Sequence, residues 1–139
     1  MFRRRAGGDL PEPHLVHAIE RIAPTTGMDP VPDEKRPLYR YTEDKWSLGR
    51  FTPAPSDIVT AARIAECGVQ MEARVTGMTQ WGVDGVAVFV QVVQVHARED
   101  LVIPGTSHID TSRWQPLYYT FRHYFAQGIE VARTFKAEY

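Results

Sequence analysis

The sequence predicts a mainly β protein of the α+β class, with one N-terminal helix and long loops. Residues 69–76 alternate apolar and polar side chains, which is the period of a strand with one buried and one wetter face. Residues 86–95 are apolar at almost every position and include six valines, a composition typical of a strand covered on both faces. Residues 13–24 carry apolar side chains at helical spacing between two prolines.

The two predicted strands are expected to form a β-hairpin. The segment between them holds Gly77, Gly82 and the pair Asp84-Gly85, which tolerate the positive φ of tight turns. We predict antiparallel pairing through a turn near Asp84-Gly85, with the second arm central in its sheet. A hairpin alone is only marginally stable, so other strands must add to it.

The composition of the 139 residues is that of an ordinary globular protein, with 43% hydrophobic and 24% charged side chains. We assign one domain to residues 13–128, with a disordered head at residues 1–12 and a tail at residues 129–139. The net charge of −1 argues against nucleic-acid or membrane partners. No stretch has the ~20 apolar residues of a membrane span. A single cysteine fits a reducing compartment, so a cytoplasmic location is expected.

The helix is expected to begin at Pro13 and to end before Pro24. Leu15, Ile19 and Ile22 recur at i, i+4 and i+7, which places them on one apolar face. Proline is acceptable in the first turn of a helix but clashes with the preceding turn in its interior. The two prolines therefore bound the helix.

Irregular structure is expected between this helix and the hairpin. Residues 24–37 contain four prolines and one glycine. Residues 38–50 interleave aromatic with basic side chains, which suits a loop that stacks on a ring and holds an anion, or equally a rim packed against a neighbouring subunit. Residues 51–55 should be extended, and Ser56-Asp57 are placed to cap a short helical turn.

After the hairpin the sequence predicts short elements. Residues 101–103 suit a brief strand, and residues 110–114 suit a single helical turn. Residues 117–125 fit the strand period and the helix period equally, so both assignments stay open.

The familiar catalytic motifs are absent from the sequence, so the chemistry must be sought in single residues. Cys67 precedes an apolar strand and is expected to be a buried packing residue rather than a nucleophile. His96 ends the valine-rich strand, where it could be held rigidly at a site or be satisfied by a local carbonyl. An aromatic cluster around Arg122 could wall a flat conjugated ligand or simply form core.

Five stretches together resemble a known family: IERIAPTTGMDPVPDEKRP, YRYTEDKWSLGRFTPAPSDIV, ARIAECGVQMEARV, VQVVQVHAREDLVIPG and IDTSRWQPLYYTFRHYF. In this order they are similar to the C-terminal part of the flavin reductase-like proteins, the FMN-binding split barrels. The resemblance implies a partial split barrel, a homodimer, bound FMN, and NADH or NADPH as the reductant. It also implies a flavoprotein oxidoreductase that can serve a partner oxygenase.

The resemblance and the residue types together name the candidate site. His96 is the candidate catalytic residue, and no metal ligands are assigned. Tyr119, Arg122 and Tyr124 are candidates for contact with the flavin or nicotinamide. Thr25, Thr26 and Lys45 are further cofactor-binding candidates from the loop region.

The sequence departs from the family in two places. Thr60-Ala61-Ala62 stand where the family often shows a proline pair before the arginine matched by Arg63. The resemblance also begins after the family's first barrel strands and most of its phosphate-holding loops. We therefore expect weak FMN binding and slow reduction by this chain alone, or dependence on a second polypeptide. Two rivals remain open: a non-catalytic binding or accessory barrel, and a non-redox enzyme that uses His96 as acid or base.

Overall fold

The structure, a computed structural model, describes residues 5–83, 85–129 and 131–132. Its strands and α-helices follow the order β1 (Arg5–Leu10), α1 (Val16–Ile22), β2 (Thr25–Thr26), β3 (Arg40–Tyr41), α2 (Lys45–Gly49), β4 (Pro53–Ala54), β5 (Arg63–Ile64), β6 (Val69–Trp81), β7 (Gly85–Ala97), β8 (Tyr118–Thr120) and β9 (His123–Phe125). Turns of 3-10 helix lie at Pro13–Leu15 and Glu99–Leu101. The predicted mainly β class is confirmed. None of the helices described is long and apolar enough to cross a membrane.

The predicted hairpin is confirmed, and it is longer than the sequence pattern suggested. β6 and β7 pair antiparallel from Val69 opposite Ala97 to Trp81 opposite Gly85. The register shifts twice, once on each strand, which bends the hairpin as β-bulges do. Asp84, part of the predicted turn, lies outside the described residues.

The prediction that β7 is the central strand was wrong. The sheet order is β1-β6-β7, so β6 is central and β7 is an edge among the described strands. The β7 valines therefore lie 45 to 54% exposed at five positions: Val86, Val88, Val90, Val92 and Val95. Their composition predicted cover on both faces, but the described part of the chain does not provide it. The described sheets are not closed into a barrel.

The prediction of a disordered head was wrong for residues 5–10, which form β1. β1 pairs antiparallel with β6 from Arg5 opposite Arg74 to Leu10 opposite Val69. Gly7 and Gly8 give this stretch no apolar pattern, but ladder pairing uses the backbone and needs no such pattern. Residues 1–4 lie outside the described part.

The first half of β6 is buried on both faces, although its alternation predicted one wetter face. Val69 and Ala73 are 2% and 5% exposed on one side, while Gln70 and Glu72 are 6% and 0% exposed on the other. The polar pair is buried because backbone groups of residues 57–67, with the side chains of Arg63 and His96, satisfy its hydrogen bonds. Leu101, 2% exposed, is among the largest fully buried side chains.

The N-terminal helix is confirmed, with its 3-10 turn beginning at Pro13 and α1 ending at Ile22. α2 was not predicted. The Asp44 carboxylate accepts the backbone N–H of Ser47 at 2.9 Å and caps the start of α2. Arg21 of α1 donates to the backbone oxygens of Leu48 and Gly49 at 3.2 and 2.7 Å, which ties the two helices together.

Two further assignments are settled by the structure. The helical turn predicted after Ser56-Asp57 was wrong, because residues 57–60 form bends. The N–H groups of residues 57–59 donate to Glu72 of β6 instead of closing a helical turn. Residues 117–125 contain strands rather than helix. β8 and β9 form a tight hairpin whose turn residues Phe121 and Arg122 both have positive φ, 47° and 68°.

Candidate functional site

A buried carboxylate on β6 organises the first cluster of polar side chains. Glu72 Oε1 accepts the backbone N–H of Asp57 at 2.8 Å, while Oε2 accepts those of Ile58 and Val59 at 2.7 and 2.9 Å. The Glu72 side chain is fully buried. One strand residue thereby holds three consecutive amides of the loop that precedes β5.

The same contacts keep Glu72 ionised. Burial by itself raises the pKa of this carboxyl, but the N–H of Asp57, the His96 ring and the N–H groups of Ile58 and Val59 outweigh burial and lower the pKa to about 2. A carboxylate with several hydrogen-bond donors is stable in its charged form. Glu72 is therefore an acceptor at neutral pH.

His96 lies on the same face of the sheet as Glu72. The register places Gln70 opposite His96 and Glu72 opposite Gln94, so the two side chains are diagonal neighbours. His96 Nε2 is 2.6 Å from Glu72 Oε1, and the His96 side chain is 19% exposed. Because the carboxylate can only accept, Nε2 carries the hydrogen and donates it. The partner of His96 is thus a carboxylate, not the local carbonyl that sequence reasoning allowed.

Asp57 completes a group of three possible metal-ligating side chains. Its Oδ2 lies 4.0 Å from His96 Nε2, and one ligand atom from each of Asp57, Glu72 and His96 falls within 4.8 Å of the others. A carboxylate offers about four lone-pair positions, and Glu72 already uses them for three amides and one imidazole. The geometry favours a hydrogen-bonded cluster over a metal centre.

A second cluster surrounds Gln70 on the same face. Its Nε2 donates to the backbone oxygens of Ile64 and Cys67 at 2.7 and 2.8 Å, and its Oε1 accepts from Arg63. Arg63 also donates to the Pro55 oxygen at 2.7 Å, while its buried Nε has no hydrogen-bond partner among the described residues. These bonds fasten β5 and its flanking loops to the sheet.

Cys67 is the packing residue that the sequence predicted. It is 5% exposed. Burial, with nearby acidic residues, raises the pKa of its thiol to about 12. A thiol of that acidity holds almost no thiolate at neutral pH, so it is a poor nucleophile.

The aromatic candidates come together on the β8–β9 hairpin. The rings of Tyr119 and Tyr124 lie 5.1 Å apart at an angle of 56°. The Tyr124 hydroxyl donates to Glu20 of α1 at 2.6 Å, and this bond, more than burial, raises the pKa of Tyr124 to about 12. Tyr119 is 63% exposed, and Arg122 stands at the turn. The pair therefore forms an aromatic surface beside α1 in which Tyr119 is exposed and Tyr124 is partly buried.

The loop candidates follow the C-terminal end of α1. Thr25 and Thr26 form β2, which pairs parallel with Arg40 and Tyr41 of β3. The Thr25 hydroxyl already donates to the Ile22 oxygen at 2.6 Å, whereas the Thr26 oxygen accepts the N–H of Met28. Lys45 is the first residue of α2. Thr25 and Tyr124 thus each hydrogen-bond to α1, whereas His96 contacts Glu72 of β6 and Asp57.

Sequence reasoning missed Glu72 as a functional residue, because the alternation assigned it to a solvated face. One signal could have found it. Glu72 is an acid in a strand whose apolar neighbours are strongly patterned, and it lies diagonally opposite a histidine once the hairpin register is known. The three loop amides carry no side-chain pattern, so they could not be anticipated.

Solved structures with this fold include flavin proteins. Flavoredoxin of Desulfovibrio vulgaris (Miyazaki F) is 18% identical, with a TM-score of 0.70 over 97% of this chain and 65% of that one. A protein described as a flavin reductase with split barrel domain, from Shewanella frigidimarina, is 13% identical, with a TM-score of 0.68 over 94% and 60%. Component B of nitrilotriacetate monooxygenase from Bacillus cereus is 18% identical, with a TM-score of 0.69 over 94% and 60%.

This chain therefore has the fold of the flavin reductase-like split-barrel proteins, as the sequence resemblance implied. An uncharacterised protein, YdfE of Bacillus subtilis (strain 168), is 35% identical over 133 residues, which are 94% of this chain and 64% of YdfE. The chain thus spans somewhat less than two thirds of the proteins it matches. No protein-family model matches it.

Proposed function

We propose that this protein is a flavin-dependent oxidoreductase that binds FMN and promotes its reduction by NADH or NADPH. The observation that carries the proposal is the fold, with TM-scores of 0.68 to 0.70 to a flavoredoxin and to a protein described as a flavin reductase. The chain spans 60 to 65% of those two proteins, so the likeness supports a flavin activity for this chain as a proposal only.

The candidate residues fit the two needs of an FMN site. A flavin ring needs an aromatic or apolar wall, and Tyr119 with Tyr124 provides a partly exposed aromatic surface. The phosphate needs hydrogen-bond donors and positive charge, for which Lys45, Arg122 and the Thr26 hydroxyl are the candidates. When bound, the flavin supplies the ring that accepts a hydride and passes on electrons. The protein's task is to hold the ring and leave one of its faces open.

We further infer that residues 1–139 alone hold FMN weakly. Of the candidate donors, the Thr25 hydroxyl is already committed to Ile22, which leaves the Thr26 hydroxyl, Lys45 and Arg122. A phosphate dianion that meets few convergent donors keeps its hydration shell instead of binding. A second polypeptide could add the missing donors.

The visible spectrum of the purified protein tests the proposal. We expect little flavin to copurify, a flavin spectrum that shifts on addition of excess FMN, and slow NADH consumption in its presence. Tyr119→Leu should weaken FMN binding. Tyr118→Leu, an exposed tyrosine on the same strand with its side chain on the opposite face, is the matched control.

Three outcomes would each change the proposal. Tight stoichiometric flavin with rapid turnover contradicts the weak-binding inference. Flavin bound without any reduction favours the non-catalytic barrel. No response to flavin at any concentration contradicts a flavin function, and would favour non-redox chemistry around His96.

The proposal includes a homodimer and a cytoplasmic location. β7 leaves five valines about half exposed along an unpaired edge, a surface that a second copy would cover. A partner oxygenase is also proposed, since one protein of the same fold is a component of a monooxygenase.

A further inference from the structure

We propose that Glu72 is a positioning residue that makes His96 present its Nδ1 atom, as a hydrogen-bond acceptor, to an N–H group of a conjugated ring ligand. The inference deepens the proposed function and rests on it for the ligand class. Both a flavin ring and a nicotinamide carboxamide carry such N–H groups. Their shared chemistry is a donor in the plane of a flat ring system.

The Glu72 carboxylate cannot turn. Each of its carboxylate oxygens accepts two hydrogen bonds, from Asp57 and His96 on Oε1 and from Ile58 and Val59 on Oε2. The side chain is fully buried. Any rotation would leave buried backbone N–H groups without acceptors, which is costly. The carboxylate is therefore a fixed reference point for the imidazole.

The fixed carboxylate of Glu72 selects one tautomer of His96. An ionised carboxylate accepts and cannot donate, so the neutral imidazole must place its hydrogen on Nε2. The bond is short, at 2.6 Å. The second nitrogen, Nδ1, is left as an acceptor.

The Nδ1 atom of His96 is available to a ligand. Among the residues that the structure describes, it has no hydrogen-bond partner, and the contacts of the His96 ring are those of Nε2 with Glu72 and Asp57. The side chain is 19% exposed, so a small group can reach it. A polar atom at such a position meets water or a ligand donor.

A metal ion is the competing occupant of this cluster. It would need Nε2 free of hydrogen and a vacant lone pair on Glu72, whose acceptor positions are all in use. Addition of zinc is therefore expected to leave the imidazole nitrogen signals unchanged. Zinc bound at Nε2 would overturn the inference.

Nitrogen chemical shifts of the His96 ring test the tautomer at mildly alkaline pH. The wild-type chain should show hydrogen on Nε2. The single amide oxygen of Glu72→Gln should keep the two N–H groups of Ile58 and Val59, which leaves its N–H₂ group facing His96. Because N–H₂ can only donate, the ring hydrogen should move to Nδ1. An unchanged tautomer in a folded Glu72→Gln chain, or hydrogen on Nδ1 in the wild type, overturns the proposal.

A second variant keeps the test valid if Glu72→Gln fails to fold. Glutamine at position 96 can still donate to Glu72 from a position close to that of Nε2, but it lacks the Nδ1 acceptor. His96→Gln should therefore keep the thermal stability of the wild type and bind the ring ligand about fivefold to twentyfold more weakly. His17→Gln, the same change at an exposed helix position, should alter neither property. Equal affinity of His96→Gln and the wild type overturns the proposal.

Separate titrations distinguish the two sources of the donor. Riboflavin carries the flavin ring without the phosphate, and nicotinamide mononucleotide carries the carboxamide without the flavin. The one whose affinity falls in His96→Gln is the ligand of Nδ1. If the wild type binds neither ring, the proposed function fails and the ligand half of this inference fails with it. The nitrogen shifts still decide the Glu72 half independently.

Discussion

Val90→Asp tests whether the valine face of β7 is covered by a second copy. Val90 lies in the middle of β7, paired with Val75 of β6, and is 47% exposed. If a dimer interface buries the exposed half of the Val90 side chain, replacing the valine removes about 1 kcal/mol of hydrophobic stabilisation per copy. An aspartate left unpaired in that interface costs about 1–3 kcal/mol more.

The two-fold symmetry of a homodimer doubles both contributions, to about 4–8 kcal/mol in total. Dissociation should then become at least ~1000-fold easier, because each 1.4 kcal/mol is a factor of about ten. The isolated Val90→Asp subunit should remain folded, because the new carboxylate reaches water at a half-exposed position on an edge strand. Loss of strand propensity costs up to about 1 kcal/mol, which lowers the melting temperature by roughly 4 °C.

Sedimentation velocity across a range of protein concentrations measures the association, and thermal melting measures the fold. Gln91→Asp is the matched control, because Gln91 is the exposed neighbour of Val90 on the opposite face of the same strand. We expect a dimer for the wild type and for Gln91→Asp, and a folded monomer for Val90→Asp. A Val90→Asp dimer, or a compact wild-type monomer, would refute the interface. An insoluble Val90→Asp chain would restore the expectation from sequence that this position is buried.

Three further results are expected. Leu101→Ala should lower the unfolding free energy by about 2–5 kcal/mol in a denaturant titration, because it opens a cavity at a 2% exposed site. Leu38→Ala, at a 75% exposed site, should change the unfolding free energy little. Equal effects of the two substitutions would contradict the assignment of Leu101 to the core. The folded pKa of Glu72 is about 2 against 4.5 for a free carboxyl, so its contribution to the free energy of unfolding is complete above pH 4.5 and is lost as the pH falls toward 2. Thermal melts of Glu72→Gln across this pH range should lack that part of the acid dependence. Melting temperatures that fall in parallel for the variant and the wild type would argue against it. Cys67, with a pKa of about 12, should not react with a thiol reagent until the protein is unfolded, and ready labelling of the native chain would disprove its burial.

The parts of the fold that the sequence predicted are those with a local signal. The alternation of residues 69–76, the valine run and the turn glycines together predict a hairpin. The spacing of Leu15, Ile19 and Ile22 between two prolines predicts the helix. Each pattern is complete within one short stretch, so no knowledge of distant contacts is needed.

The parts that escaped prediction depend on distant backbone. β1 contains Gly7-Gly8 and forms because β6 offers a free edge to its main chain. Whether β7 is an edge or a central strand depends on which strands pair with it, and its own composition carries no information about that. His96 could be singled out from its place at a strand end, but Glu72 could not, since its three partners are amides of residues 57–59.

Glu72 holds residues 57–59 through their backbone N–H groups alone. Any residue except proline supplies an N–H, so the exposed side chains of Asp57 and Ile58 can change while the path of the loop stays the same. Val59 is buried in the core, so its packing constrains it as well. Asp57, whose carboxylate is largely exposed beside the His96 imidazole, can therefore be replaced without moving the backbone of the loop. Libraries restricted to residues 57 and 58 would thus vary the side chains beside Glu72 and His96 without rebuilding the fold that carries them.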